Sequence, residues 1–326
     1  LLVIDISSPA SPWVVAAIGA LPAAFDVAIA GSHAYVVDLD LGLHVIDISD
    51  PASPAIVGVG DRTGNSLGVA VVGSHAYVAD ALAGLEVFDI SDPAAPRLVG
   101  EVYIPGYPVD VAAGGEFAYV AARDTGLYMI DVSIPTLPRI AGWVDTKGQA
   151  IGVAVAGPYA YVADATEGIQ AIDVSNPAAP AVVGNVDTKV AWRVRTAGDH
   201  AYVADIYSGL LVLDISHPHS PAIVGRVDTP GEAHAVAVAG SHAFVADGRS
   251  GLEVVDFSDP AAPQIVARLD TPGEALRIQI AGRYAYVADD YAGLLVVDIS
   301  DPASPVIAGS LNTPDSAYDV AVAGSL

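Results

Sequence analysis

The chain says one thing eight times. The segment Gly293-Leu-Leu-Val-Val-Asp-Ile-Ser-Asp-Pro-Ala-Ser-Pro305 has counterparts beginning at Leu1, Leu43, Leu85, Leu127, Ile169, Leu210 and Leu252. The glycines before the copies stand at Gly42, Gly84, Gly126, Gly168, Gly209, Gly251 and Gly293, spaced 42 residues apart except for one step of 41. A fixed period of this length marks a repeat architecture in which each unit is one supersecondary element. No linker or shift in composition separates any two copies. Residues 1–326 are therefore read as a single repeat domain, although length alone would suggest two.

Each unit carries four short apolar runs. In the unit after Gly231 these are Ala235–Ala239 (AVAVA), Ala243–Asp247 (AFVAD), Leu252–Phe257 (LEVVDF) and Gln264–Leu269 (QIVARL). Gly-Ser, Ser-Asp-Pro-Ala-Ala-Pro and Asp-Thr-Pro-Gly separate them. Runs of four to eight residues bounded by turn formers read as strands, and helical periodicity is absent. Four antiparallel strands per repeat describe an all-β propeller.

The first run occurs eight times, from Val27 to Val320, and the third and fourth runs occur eight times from Leu1 and Val14. The second run occurs seven times, at Tyr35, Tyr77, Tyr119, Tyr161, Tyr202, Phe244 and Tyr286. The count predicts eight four-stranded blades, with seven as the alternative. It also predicts a closing blade shared by strands in residues 1–18 and a strand in residues 319–324, which would remove exposed sheet edges. Such a blade lacks its second strand. Either further residues of the same chain or another subunit would supply it, and the latter builds filaments.

Composition narrows the function. The chain is 53% hydrophobic but has no run of 18 apolar residues, so no membrane span is expected. With 38 acidic and 13 basic residues the net charge is −25, which disfavours nucleic acid and anionic lipid as partners. There is no cysteine, which excludes disulfides and cysteine-based zinc sites. The chain opens inside a repeat, so the lack of a visible signal peptide carries no weight.

The third run, written LLVID, LHVID, LEVFD, LEVVD and LLVVD in five of the eight copies, resembles the LVIVD repeat family, and so do the flanking AYVAD and DISDPASP segments. The resemblance covers the whole chain. It implies a propeller and a secreted or surface-associated prokaryotic protein. It implies no established activity, cofactor or catalytic residue.

Most polar residues belong to the repeat. Asp5, Asp47, Asp89, Asp131, Asp173, Asp214, Asp256 and Asp298 recur in the third run, and Asp38, Asp80, Asp164, Asp205, Asp247 and Asp289 end the second. A catalytic carboxylate has no reason to recur in every blade, whereas one that accepts backbone N–H bonds in a tight turn does. His33, His75, His200 and His242 share one turn position. Asp38-Leu-Asp40 and Asp289-Asp290 stay calcium candidates although neither has the spacing of a calcium loop, and His217-Pro-His219 lacks a nearby third ligand for a metal. No nucleophile elbow or phosphate-binding loop is present. The expectation is no metal, no cofactor and no catalytic set.

The informative residues break the repeat. The position before the first run reads Asp26, Gly68, Asp110, Gly152, Arg193, Ala235, Arg277 and Asp319, and two residues later Arg195 and Gln279 replace alanine. The one-residue deletion falls just before Trp192, whose counterparts include His234 and Tyr318. These residues define a candidate polar pocket. Arg193, Arg195 and Arg277 would bind an anionic or hydroxyl-rich group, with Trp192, His234 and Tyr318 as stacking surface and Gln279, Asp319, Asp26 and Asp110 nearby.

Three functional classes follow. The first is a non-enzymatic extracellular or cell-surface scaffold that binds proteins or itself, as in a filament or layer. The second is a propeller that binds a glycan or small anion at the Arg/Trp pocket. The third is a lyase or hydrolase using the His234, Asp319 and Arg193 neighbourhood.

Overall fold

The structure, a computed structural model, describes residues 1–19, 21, 23–50, 53–60 and 64–322. Blade three is typical. Its strands Asp110–Gly114, Phe117–Ala121, Leu127–Asp131 and Arg139–Val144 form an antiparallel meander in sequence order. Val120, Leu127, Met129 and Ile130 are fully buried, because both faces of the middle strands are covered. Gly126 turns the second strand into the third at φ 82°, where a Cβ would lie 2.2 Å from the Val144 carbonyl oxygen. Such a position favours glycine, which explains the periodic glycines.

Among the described residues there are seven four-stranded sheets and one two-stranded sheet, Leu2–Asp5 with Trp13–Ala17. The fold is an all-β propeller of seven four-stranded blades, and the expectation of eight is overturned. Blades one to seven span residues 24–59, 66–102, 110–144, 152–186, 191–227, 235–269 and 277–311. The eighth copy makes no four-stranded sheet. Asp319, Val320, Ala321 and Val322 lie in no strand, and the rest of the expected 319–324 strand falls outside the described residues. A first strand needs a second strand as its ladder partner, and the eighth copy has no second run. Closure by both termini therefore stays an expectation.

The chain divides into two compact units. The first comprises Leu1–Val3, Val15–Asp164 and Gln170–Val183, and the second Ile4–Val14, Ala165–Ile169 and Gly184–Leu326. Within each unit the first strands of successive blades lie against one another. Each unit also uses the same interlock between blades. The fourth strand bulges at a glycine, and the Pro-bounded turn of the next blade fills the space. A Cβ on Gly100 would lie 2.2 Å from the Pro135 carbonyl oxygen, and one on Gly225 would lie 2.1 Å from that of Pro260. The Ser-Asp-Pro-Ala-Ser-Pro turn is thus a packing element as well as a connection. No helix among the described residues is long and apolar enough to cross a membrane.

Candidate functional site

The repeated aspartates are framework. In the third run the carboxylate accepts the backbone N–H two residues on, from Asp5 with Ser7 through Asp131 with Ser133 to Asp298 with Ser300. The Ser133 hydroxyl, and then Arg139, lower the Asp131 carboxyl to about 2. The aspartates ending the second run are buried and bind backbone from inside the blade. Asp38 accepts N–H bonds from Ala23, Asp40 and Leu41, and Asp247 accepts from Gly231 N–H and the Thr229 hydroxyl. Burial of such groups requires partners of this kind. Among the described residues no three His, Cys, Asp or Glu side chains converge as metal ligands.

The positions that break the repeat behave differently in the two units. In the first unit, Asp26 accepts the Val69 N–H at 2.9 Å, and Asp110 accepts the Val153 N–H at 3.0 Å. Each carboxylate on a first strand therefore ties down the first strand of the next blade. The intervening residue is glycine because the strands run close: a Cβ on Gly68 would lie 3.2 Å from the Asp110 Cα. The alternation Asp26, Gly68, Asp110, Gly152 is a chain of such ties, one carboxylate followed by one gap. Each Asp stands 43 residues before its N–H partner, one repeat and one residue away. The reading of Asp26 and Asp110 as pocket residues missed this.

In the second unit, Trp192 and His234, the same repeat position in consecutive blades, meet edge to face with ring centroids 6.3 Å apart. Trp192 sits at a bulge, where the ladder skips from Ala191 to Arg193. His234 is the more buried partner, and its Nε2 stands 3.8 Å from the Glu232 carboxylate. Burial, reinforced by Arg277, lowers the His234 pKa against the pull of Glu232 and Glu274. The ring is therefore neutral at pH 7, and the positive charge here belongs to the arginines. Arg277 donates to the Leu276 carbonyl at 3.1 Å. Arg195 and Gln279 are exposed on their first strands, each two residues beyond an arginine and so on the same strand face. Tyr318 is exposed, and Asp319 lies beyond the last strand. The structure thus joins Trp192 to His234 and places Arg277 within electrostatic reach of that ring.

The rim beside these residues is built by short bridges. The turn between strands two and three pairs with the residues that lead into the next copy's first run, as in Ala165 with Ala191, Gly248 with Ala275 and Asp290 with Ala317. Arg249 and Glu274 form an ion pair beside the second of these bridges. Tyr291 and Tyr318 follow the two residues of the third.

Matches to the LVIVD repeat model cover residues 1–18, 23–61, 63–103, 105–146, 147–188, 190–229, 230–271 and 272–313. The chain belongs to the LVIVD repeat family. The first of these matches coincides with the two-stranded sheet, and the other seven coincide with the seven blades. No curated protein matches the chain. Solved structures share the fold. Sqt1 from Saccharomyces cerevisiae superposes with a TM-score of 0.77 at 10% identity, over 93% of this chain and 91% of that one. The computationally designed Ika8 protein gives 0.72 at 9% identity, over 84% and 82%. BamB from Moraxella catarrhalis gives 0.60 at 15% identity, over 84% and 81%. At these identities the likeness speaks for the fold alone. A propeller repeat protein of this kind fits a scaffold or interaction role.

Proposed function

We propose that this LVIVD repeat protein acts without catalysis, as an extracellular or cell-surface scaffold of prokaryotic origin that works through protein contacts. The observation that carries this reading is the rim of the second unit, where Tyr207, Tyr291 and Tyr318 are 59%, 64% and 54% exposed. Other blades place Leu82, Asp124, Thr166 and Arg249 at the repeat position of Tyr207 and Tyr291, so the framework does not dictate an aromatic there. Tyrosines that folding does not require and that face solvent are the side chains from which interaction surfaces are built. The proposal includes self-association. Leu2–Asp5 is in a ladder with Trp13–Ala17 alone among the described strands, and strand addition at its other edge would join subunits into a filament or layer.

Sedimentation and negative-stain imaging over a range of concentrations test self-association. Growth into filaments or sheets is expected, and a single small species throughout overturns it. Antibody labelling of intact source cells tests the location, and label that appears only after lysis removes the extracellular reading.

The pairing of Trp192 with His234, close to Arg277, favours a second reading, in which this cluster binds a glycan or small anion. Titration with inorganic sulfate is its simplest probe. Binding that disappears in an Arg193→Ala, Arg195→Ala variant supports it, and unchanged binding sinks it.

A further inference from the structure

We propose that the outer edge of blade three is a saccharide-binding cleft, with Trp143 as the platform for a sugar ring. This site lies within the first unit and does not depend on the function proposed above.

The evidence begins with a cross-strand pair. In six of the seven blades the third and fourth strands place two side chains opposite each other near the blade edge. The pairs are His44 with Val59, Glu86 with Glu101, Leu211 with Arg226, Glu253 with Arg268 and Leu295 with Ser310. In blade three the pair is Tyr128 with Trp143. The fold tolerates Val, Glu, Arg or Ser where Trp143 stands, so packing does not demand an indole. Trp143 is nevertheless 55% exposed, while Tyr128 beneath it is 4% exposed. The rings are stacked, with centroids 6.0 Å apart and planes 20° from parallel. A buried tyrosine thus holds a large aromatic ring in a fixed orientation, which lowers the entropy cost of presenting it to a ligand.

The platform forms one wall of a cleft of about 450 Å³, which Pro105, Asp124, Thr125 and Asp145 help to line. That volume lies in the usual range for small-ligand sites. Thr125 is fixed by donating to the Pro105 and Ala122 carbonyls. Asp145 is oriented by the Lys147 N–H at 2.8 Å. Both carboxylates are exposed, so their oxygens can accept further bonds. A flat apolar face flanked by carboxylate acceptors complements a pyranose, which offers a C–H face to the indole and hydroxyl donors around its edge. The same charges would attract an ammonium group, but recognition of a quaternary ammonium relies on a cage of aromatic faces. Here the second ring lies parallel beneath the first and closes no cage. The geometry therefore favours a neutral sugar.

Calorimetric titration of the whole chain with cellohexaose, maltohexaose, mannohexaose and chitohexaose tests the proposal. At least one should bind. Trp143→Ala should weaken that binding at least tenfold, Trp143→Phe should retain part of it, and Asp124→Ala should weaken it several-fold. Leu82→Ala, at an exposed apolar position outside both sites, should leave it unchanged, and binding lost on Trp192→Ala but kept on Trp143→Ala would assign the sugar to the Trp192–His234 cluster and overturn the proposal. Should Trp143→Ala fail to fold, Trp143→Phe and Asp124→Ala carry the test. Failure of all four sugars to bind overturns the proposal. So does wild-type affinity in the Trp143 and Asp124 variants, or binding of tetramethylammonium at this cleft in place of sugar.

Discussion

The first strands of the two units occupy equivalent repeat positions and spend them differently. In the first unit the position holds Asp26, Gly68 and Asp110, and the carboxylates bind the N–H groups of Val69 and Val153 one blade on. In the second unit it holds Arg193, Ala235 and Arg277, with Trp192 against His234 beside them. The strands around these residues pair in the same order, and the interlock of glycine with Pro-bounded turn is common to both units. The framework therefore does not need the Asp–N–H tie in every blade. Where the tie is absent, the first-strand positions are free to carry arginine and aromatic side chains.

The widest test concerns what the units share. Gly100→Ala in the first unit and Gly225→Ala in the second should each destabilise the protein by about 3 kcal/mol, because the added Cβ meets a proline carbonyl. Denaturant unfolding measures both. A large loss in one and none in the other would break the idea of a common interlock.

Next comes a buried carboxyl of the second unit. Glu253 is 1% exposed, and burial raises its carboxyl to about 7 despite Arg268, whose Nε lies 3.2 Å from Oε2 as an ion pair. The folded chain then holds this proton where the unfolded chain has released it. Its contribution to stability is full below the ordinary carboxylate range and is lost as pH rises through about 7. Between pH 5 and pH 8 the loss should be about 2–3 kcal/mol. Glu253→Gln should remove that part of the pH dependence in unfolding curves, and an unchanged slope would assign it elsewhere.

The ties themselves should show a smaller effect. Asp110→Ala leaves the Val153 N–H without its acceptor and should cost about 1–2 kcal/mol. Arg277→Ala, at the equivalent position in blade seven, should cost under about 1 kcal/mol, since the side chain is partly solvated. Equal losses would erase the contrast between the units. The smallest of these effects is the edge-to-face contact of Trp192 with His234, which should contribute only about 0.5–1 kcal/mol beyond the surface that the indole buries, as a double-mutant cycle of the two residues would measure. If Trp192 serves binding, its replacement should affect ligand or partner affinity far more than the unfolding midpoint.

Much of this was legible from residue order. The strand runs, the turn role of the repeated aspartates and the positive-φ glycines follow from local chemistry that recurs every 42 residues. Trp192 and His234 were also recognisable as neighbours, because they hold one repeat position in adjacent blades. Counting runs gave eight blades where the structure has seven, since a run becomes a strand only when a partner completes its ladder. The ties from Asp26 and Asp110 were missed because they depend on how closely two first strands approach, which periodicity does not reveal. The stacking of Trp143 on Tyr128 depends likewise on cross-strand register.

Sequence alone determined the repeat, the four-strand blade and the family, because alternation, turn residues and period are local properties that act identically in every copy. Tertiary structure decided which copies complete a blade, which carboxylates are consumed by backbone and which aromatic rings reach solvent. Those outcomes depend on the separation of strands that are a whole repeat apart, and on which hydrogen-bond donors and packing partners that separation leaves unclaimed.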